Sequence, residues 1–222
     1  MKTDAKLGKE IHQHLINTGC ESPIDYDQYY ARTSSEKKED ISKHMHDILN
    51  VLGFNLSNDS VKGTADRVAR MWVDELMVGI DYNKFPKIMT FGNSFNSGMV
   101  IERNIQSMSL CSHHLVTVDG TAFVAYIPKN KVIGLSKINR VVNFFSRRPQ
   151  EAERLTLQIY HALEYILETT DIAVFITGTH YCVKSRGVND VNSSTSTAKL
   201  GGVFMNDPMV RKEFYDVVHS VR

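Results

Sequence analysis

The sequence predicts an α+β protein in which an antiparallel sheet follows an N-terminal helical segment. Helical and strand-like patterns alternate irregularly along the 222 residues, whereas a doubly wound parallel sheet needs a regular succession of strands and helices. The chain also contains neither G-x-G-x-x-G nor G-x-x-x-x-G-K-[ST]. A dinucleotide or P-loop nucleotide site is therefore not expected. We divide the chain into a helical region, residues 1–97, and a sheet-containing domain, residues 98–222.

Three helices are predicted in the first region. A short one is expected near residues 8–18. A second begins at Ser34 or Ser35, either of which can cap it, and ends at Gly53, since apolar residues between them recur at helical spacing. A third is expected over residues 64–78, and residues 81–97 are expected to form a loop.

The pattern then changes to strands. Residues 99–109 and 115–127 are rich in β-branched and aromatic residues. Asp119-Gly120 is interpreted as a hairpin turn. Two helices are predicted over residues 136–145 and 149–169.

A strand is predicted over residues 172–184, followed by a polar loop over 187–198 and a short strand over 200–205. A last helix is predicted to begin at Asp207 or Pro208 and to end near residue 218.

Composition restricts the class of partner. The formal net charge is +1, so bulk charge favours neither nucleic acid nor a membrane surface. The chain has neither a signal-peptide pattern nor an apolar run long enough to span a bilayer, and a cytoplasmic location is expected. Three cysteines without disulfide-like spacing are typical of a reducing compartment. Cys20 is interpreted as a free thiol in a mobile N-terminal stretch.

Two short segments combine cysteine and histidine, the usual protein ligands of zinc. They are CSHH, residues 111–114, and HYC, residues 180–182. A turn can direct Cys111 and one of the two adjacent histidines to one point. On a strand, His180 and Cys182 would leave the same face. Cys111, His114 and Cys182 are the predicted ligands, although spacing leaves open which of His113 and His114 binds.

Three protein ligands leave a fourth position for water, which favours a catalytic zinc site over a closed structural one. Such a zinc lowers the pKa of its bound water toward neutrality. His113 and His180 would then be uncoordinated imidazoles beside the metal, suited to proton transfer near pH 7.

Cationic residues suggest an anionic ligand. Lys137 and Arg140 share a face near the N-terminus of the predicted helix 136–145, where phosphate is favoured. Arg186 follows the second cysteine- and histidine-containing segment, residues 180–182, and Arg67 lies in the third predicted helix. Each could equally be a solvated surface cation. Glu153, in the first turns of the long helix, fits the ordinary preference for acidic residues there.

Five ordered segments of the chain together resemble the GTP cyclohydrolase I family. They are C-x-H-H at residues 111–114, GLSKINR at 134–140, RRPQ-x-x-ERLT at 147–156, HYCVK-x-RG at 180–187 and LGG at 200–202. The resemblance covers residues 35–222. It implies the tunnelling fold, in which antiparallel sheets of several subunits close barrels and helices pack on one face of the sheet. Residues 98–222 would be the tunnelling-fold catalytic domain.

The resemblance also implies a reaction. Family members are hydrolases that convert GTP and water to 7,8-dihydroneopterin triphosphate and formate, the first step toward tetrahydrofolate and other pterins. They use zinc and are homo-oligomers, usually decamers, with active sites between subunits. Carried over by residue, Cys111, His114 and Cys182 resemble the zinc ligands, and His113 and His180 resemble the catalytic histidines. Glu153 resembles the residue that binds guanine. The residues that resemble the ribose and triphosphate contacts are Ser136, Lys137, Arg140, Arg186 and Arg67.

Two other classes of protein are less compatible with these residues. A catalytically silent tunnelling-fold protein could bind a purine or pterin, or use zinc structurally, but the presence of His113, His180 and Glu153 argues against it. A zinc nucleobase deaminase would carry H-x-E with P-C-x-x-C, and this chain has neither pattern.

Overall fold

The computed structural model describes residues 2–94 and 98–220, which contain both helices and an antiparallel sheet. The helices are α1 (Ala5–Asn17), α2 (Tyr26–Tyr30), α3 (Ser34–Val51), α4 (Thr64–Arg70), α5 (Leu135–Ser146), α6 (Ala152–Leu167), α7 (Tyr181–Lys184), α8 (Gly202–Asn206) and α9 (Pro208–Ser220). The strands are β1 (Thr90–Gly92), β2 (Val100–Cys111), β3 (Thr117–Tyr126), β4 (Lys131–Ile133), β5 (Pro149–Gln150), β6 (Ile172–His180) and β7 (Thr195–Leu200). The predicted α+β class is confirmed.

The chain divides into two compact units. One comprises residues 2–22 and 79–220, and the other residues 23–78. Because α1 contacts α6, the N-terminal helix belongs to the unit that contains the sheet. The boundaries of these compact units therefore differ from the predicted division at residue 97. The start of the catalytic domain at residue 98 stays a prediction.

The smaller unit is helical. Thr33 caps α3, not the predicted Ser34 or Ser35: its hydroxyl accepts from the backbone N–H of Glu36, and the Glu36 carboxylate accepts from the backbone N–H of Thr33. The helix predicted over residues 64–78 ends as an α-helix at Arg70 and continues as one π-helical segment, Met71–Leu76. Ser42 of α3 donates to the Asp66 carboxylate of α4 over 2.6 Å, which joins the two helices.

In the larger unit, five strands form the main sheet in the order β5-β2-β3-β6-β7. Only β5 runs parallel to its neighbour, β2; the other pairs are antiparallel. β1 and β4 form a separate two-stranded sheet. The predicted loop over residues 81–97 therefore contains a strand, because residues 90–92 pair with residues far along the chain; residues 95–97 lie outside the description.

Helices lie on both faces of the main sheet, and not on one face as expected. On one face, Ser107 of β2 bonds Ser146 of α5 over 3.0 Å, and Thr197 of β7 bonds Thr156 of α6 over 2.6 Å. The alternate residues of the strands point to the other face. There, buried side chains of α8 and α9 pack on those of β3 and β6: Phe204, Phe214 and Val218 against Phe123, Ala125 and Ala173.

The predicted turn at Asp119-Gly120 is wrong. Both residues lie inside β3, opposite Met108 and Ser107 of β2. The strands are instead joined by residues 112–116. Gly120 has a packing role, since a Cβ added there would lie 2.8 Å from the Ser107 carbonyl oxygen. The glycine therefore marks a close approach between strands, not a change of direction.

Three C-terminal boundaries also differ from prediction. The long helix begins at Ala152, because Pro149 and Gln150 extend as β5 beside Leu110 and Cys111. The strand predicted to reach residue 184 ends at His180, and α7 follows. The end of the loop predicted over 187–198 belongs to β7, at Thr195–Leu200, and the strand predicted over 200–205 is largely replaced by α8.

The N-terminal segment is packed, contrary to the prediction for Cys20. Its thiol is 5% exposed and lies 3.2 Å from the hydroxyl of Thr18. The buried Gln158 amide of α6 donates to the backbone oxygen of Cys20 over 3.0 Å. Cys20 is a free thiol, but it is held against the core.

Within the described residues, no helix combines the length and the apolar character needed to cross a membrane.

Candidate active site

The first cysteine- and histidine-containing segment, residues 111–114, lies at the end of β2 and in the turn that leads to β3. Cys111 ends β2, and its backbone N–H donates to the Val116 carbonyl over 2.8 Å, while its own carbonyl accepts from Leu115 over 2.8 Å. Leu115 has a φ of 52°, the left-handed conformation that reverses the chain. The turn therefore projects His113 and His114 from the end of the sheet.

The second cysteine- and histidine-containing segment, residues 180–182, lies at the same end of the sheet. His180 is the last residue of β6 and pairs with Val118 of β3, beside the turn. Cys182 follows on α7, not on a strand as predicted. The same-face argument for His180 and Cys182 is therefore wrong, although the chain still brings Cys182 back to Cys111.

Cys111, His114 and Cys182 form a cluster in which one ligand atom from each residue lies within 4.8 Å of the others. The Cys111 Sγ lies 3.9 Å from Nδ1 of His114. Tetrahedral zinc with ordinary Zn–S and Zn–N bonds would place those atoms about 3.6 Å apart. Two thiols and one imidazole are a donor set that suits zinc, so the residues fit the metal.

The pKa of the Cys182 thiol is raised, first by burial and then by its hydrogen bond with Cys111 and that residue's negative charge. Two thiols so close disfavour a second negative charge. A bound cation would relieve that repulsion and stabilise both thiolates. The electrostatics of the cluster thus favour a cation.

His113 lies beside the cluster but is not one of its three members. Its Nδ1 is 3.7 Å from the Cys111 Sγ, and its ring centroid is 6.3 Å from that of His114. His113 is exposed and His180 is half-buried. The His113 imidazole therefore lies at the cluster, whereas His180 lies at the same end of the sheet, and neither side chain is buried.

Arg186 contacts the cluster directly. Its Nη1 donates to Nε2 of His114 over 2.7 Å, since a guanidinium has no acceptor atom. This sequence-predicted anion ligand is therefore at the metal cluster. In this contact Nε2 of His114 is the acceptor.

Glu153 lies near this end of the sheet. It is exposed in the first turn of α6, three residues after Gln150, which pairs with Cys111 through β5. Within the described part of the chain, its carboxylate makes no hydrogen bond or ion pair. Glu153 is thus free to accept hydrogen bonds from a ligand.

The helix-borne cations lie elsewhere in the unit. Ser136 and Lys137 are in the first turn of α5, and Arg140 lines a shallow groove with Ile105 and Gln106 of β2. Gln106 precedes Cys111 on β2 by five residues, about 17 Å of extended strand. This set is therefore not brought together with the metal cluster in one chain.

Arg67 belongs to the smaller unit. Its guanidinium is exposed and donates weakly, over 3.4 Å each, to the Ser60 carbonyl and the Thr64 hydroxyl.

Gln150 is a positioning residue that the sequence analysis missed. Its backbone oxygen accepts from the N–H of Ser112 over 3.0 Å. Its buried amide donates to the Phe145 carbonyl and to the Gln158 side chain, each over 2.8 Å. It thereby ties the Cys111–His114 turn to α5 and α6. Its place in the RRPQ segment was the available signal, but that segment was interpreted as the start of a helix.

Comparisons with known proteins agree with the resemblance. The family model described as GTP cyclohydrolase I matches residues 41–219. A protein of Vibrio cholerae named GTP cyclohydrolase 1 is 50% identical over 223 residues, covering 100% of this chain and 99% of the relative. Relatives of the same name in Tolumonas auensis and a Shewanella species are 50% identical over 212 residues and 48% identical over 206.

Those alignments cover 94% and 92% of this chain and 97% and 95% of the two relatives. The family match includes every predicted site residue. The chain belongs to the GTP cyclohydrolase I family.

Proposed function

We propose that this protein converts GTP and water to 7,8-dihydroneopterin triphosphate and formate, the first step toward tetrahydrofolate and other pterins. One observation carries the proposal: the Cys111, His114 and Cys182 ligand atoms converge at the sheet end that also bears His113 and His180. Membership of the family supports the same reaction. Residues 98–222 are the proposed catalytic domain.

Cys111, His114 and Cys182 are the proposed zinc ligands. Zinc bound there would supply a Lewis acid able to activate a water molecule as the nucleophile for C8 of the purine. His114 is preferred to His113 as the ligand because its ligand atom, unlike that of His113, belongs to the cluster that includes Cys182.

His180 and His113 are the proposed proton carriers. His180, half-buried at the end of β6, donates a proton to N7. Breaking both C8–N bonds consumes two water molecules, the first leaving a formamide and the second releasing formate, and the later ring closure returns one water. His113 assists opening of the ribose ring for the later rearrangement. An imidazole ring can act both as a proton donor and as a proton acceptor.

Glu153 is the proposed guanine-recognition residue. Its carboxylate accepts from N1–H and the 2-amino group of guanine. Adenine has neither donor, so it would leave the carboxylate unpaired within the complex, a penalty large enough to set specificity.

Ser136, Lys137, Arg140, Arg186 and Arg67 are the proposed ribose and triphosphate ligands. Because the α5 members lie along β2 from Cys111, we propose that they complete the site of another subunit. Active sites between subunits require a homo-oligomer, for which we propose a decamer. A cytoplasmic location fits the three free thiols.

The direct test is incubation of the zinc-loaded protein with GTP, measuring formate and, after oxidation, pterin fluorescence. We expect one formate per pterin and no turnover of ATP. The His180→Ala variant should release no formate while retaining the wild-type zinc content. Loss of zinc in that variant would make His180 a ligand and contradict the scheme. Zinc-loaded wild-type protein that binds GTP without releasing formate would instead support the silent binding protein.

A further inference from the structure

A second cluster of metal-binding side chains lies on α1 and α6. His14, His161 and Glu164 each offer one ligand atom, and these atoms lie within 4.8 Å of one another. The cluster contains no cysteine and shares no residue with the candidate active site. We propose that it is a second divalent metal site, of the zinc class, which joins the N-terminal helix to α6.

Regular secondary structure positions all three residues. His161 and Glu164 are three residues apart on α6, so they share a face. His14 is on α1, which buries Ile11 and Leu15 in the core of the unit that also contains α6. The site therefore rests on packed helices and not on a loop.

The α1 helix is fixed against its surroundings at both ends. A Cβ added at Gly8 would overlap the Tyr82 backbone carbonyl, so the helix approaches that segment as closely as only glycine allows. Near its C-terminal end, the ring centroid of His14 lies 5.3 Å from that of Tyr165 on α6. These contacts hold the His14 ring beside His161 and Glu164.

The distances fit a tetrahedral ion with small adjustments. Nδ1 of His161 lies 2.8 Å from Oε2 of Glu164, and Nε2 of His14 lies 3.8 Å from the same oxygen. Bonds of 2.0–2.1 Å to zinc would place such ligand atoms about 3.3 Å apart. The two measured separations lie on either side of that value, so each side chain would move by about half an ångström.

A polar atom at the cluster lacks a partner. Nε2 of His14 is buried and, among the described residues, has no hydrogen-bond partner; the 3.8 Å to Glu164 is beyond hydrogen-bond range. A buried imidazole nitrogen in this state carries a desolvation penalty. Coordination of a cation would satisfy it and balance the Glu164 charge.

The donor set selects the kind of metal. Two imidazoles and one carboxylate suit zinc and neighbouring transition ions, whereas magnesium and calcium prefer oxygen ligands alone. Three protein ligands leave a position open. His14 and Glu164 line an open cleft of about 730 Å³, so water or a small ligand can reach that position.

The test separates the two sites by their ligands. Cobalt bound by Cys111 and Cys182 has a thiolate-to-metal charge-transfer band. Cobalt bound by His14, His161 and Glu164 lacks this band, because none of these ligands is a thiolate. In a Cys111→Ser/Cys182→Ser variant, titration with Co²⁺ should give d–d bands without the charge-transfer band. Adding His14→Gln should abolish them, whereas His46→Gln, an exposed histidine of the smaller unit, should not.

Metal content and thermal stability give two further, independent readouts. Wild-type protein equilibrated with Zn²⁺ should hold about two equivalents per chain, and His14→Gln or Glu164→Gln about one. Added Zn²⁺ should raise the melting temperature of the double cysteine variant and not that of the same variant carrying His14→Gln.

Absence of cobalt bands in the double cysteine variant, or equal zinc content in wild-type protein and Glu164→Gln, would overturn the proposal. The cluster would then be a hydrogen-bonded His–Glu pair with a neighbouring histidine. His14→Gln should retain GTP turnover, so failure of this proposal is distinct from failure of the proposed reaction.

Discussion

Arg186 donates a hydrogen bond from Nη1 to Nε2 of His114 over 2.7 Å, at the edge of the candidate zinc cluster. The contact is incompatible with a metal on His114. If zinc bound Nδ1, the ring proton would be on Nε2, which could then no longer accept a hydrogen bond from Arg186. If zinc bound Nε2, the lone pair of that nitrogen would be used for the metal bond. Metal binding by His114 would therefore require the release of Arg186, whose guanidinium would then be available to an anionic substrate.

The first prediction follows from that release. Arg186→Ala should bind zinc at least as tightly as the wild type, because no guanidinium competes for His114, but its KM for GTP should rise about tenfold or more, the cost of a charged hydrogen bond. Zinc titration and steady-state kinetics measure the two effects. Lys184→Ala removes a nearby cation that lies over the Tyr181 ring and serves as the matched control. Weaker zinc binding by Arg186→Ala would show that the contact supports the metal site.

The second prediction concerns recognition of guanine. Glu153→Gln should lower kcat/KM for GTP by about a hundredfold or more, because an amide cannot accept two hydrogen bonds from the base without presenting a donor to it. The unfolding free energy should not change measurably, since Glu153 is exposed. Kinetics and urea denaturation test both statements. Glu151→Gln, two residues earlier, is the control. A Glu153→Gln enzyme with wild-type kcat/KM would remove Glu153 from the site.

The third prediction concerns the support of the metal turn. Gln150→Ala leaves the buried Phe145 carbonyl and Gln158 side-chain oxygen without their donor, which should lower the unfolding free energy by about 2–4 kcal/mol. Zinc affinity should fall as well, because the residue lies between the Cys111–His114 turn and two helices. Urea denaturation and zinc titration report these effects. Gln106→Ala, at an exposed position of β2, should change neither.

The fourth prediction is a pH dependence of stability. Burial lowers the pKa of His12, and Arg148 acts in the same direction against the opposing charge of Glu21. As the pH falls, His12 is therefore protonated in the unfolded state before it is protonated in the folded state. The stability contributed by the neutral, buried His12 is complete above about pH 6.5 and declines as the pH falls below that value.

Urea denaturation between pH 7.5 and 5.5 should show this decline, and His12→Gln should show a smaller one. The slope with pH is the informative quantity, since the variant also loses the stacking of His12 on Tyr82. An unchanged slope would assign the acid sensitivity to other groups.

Much of the fold could be predicted because hydrophobic periodicity is local. The helices α3, α5 and α9 and the strands β2 and β3 lie close to their predicted positions. Errors arose where a local signal has two physical meanings. Gly120 beside an aspartate is typical of a turn, yet here it permits the approach of Ser107. Pro149-Gln150 can begin a helix, yet it pairs with Leu110-Cys111. Both outcomes depend on residues distant in sequence.

By itself, the sequence determined the donor chemistry: two thiols, three histidines, a carboxylate and a set of cations in ordered segments that indicate the family. Only the tertiary structure decided how they meet. Cys182 reaches Cys111 through a helical turn after β6, because β3 and β6 end side by side. The pairing of His14 with His161 and Glu164 likewise depends on α1 packing on α6. Neither contact has a local signal, because both depend on chain segments brought together by burial of a shared core.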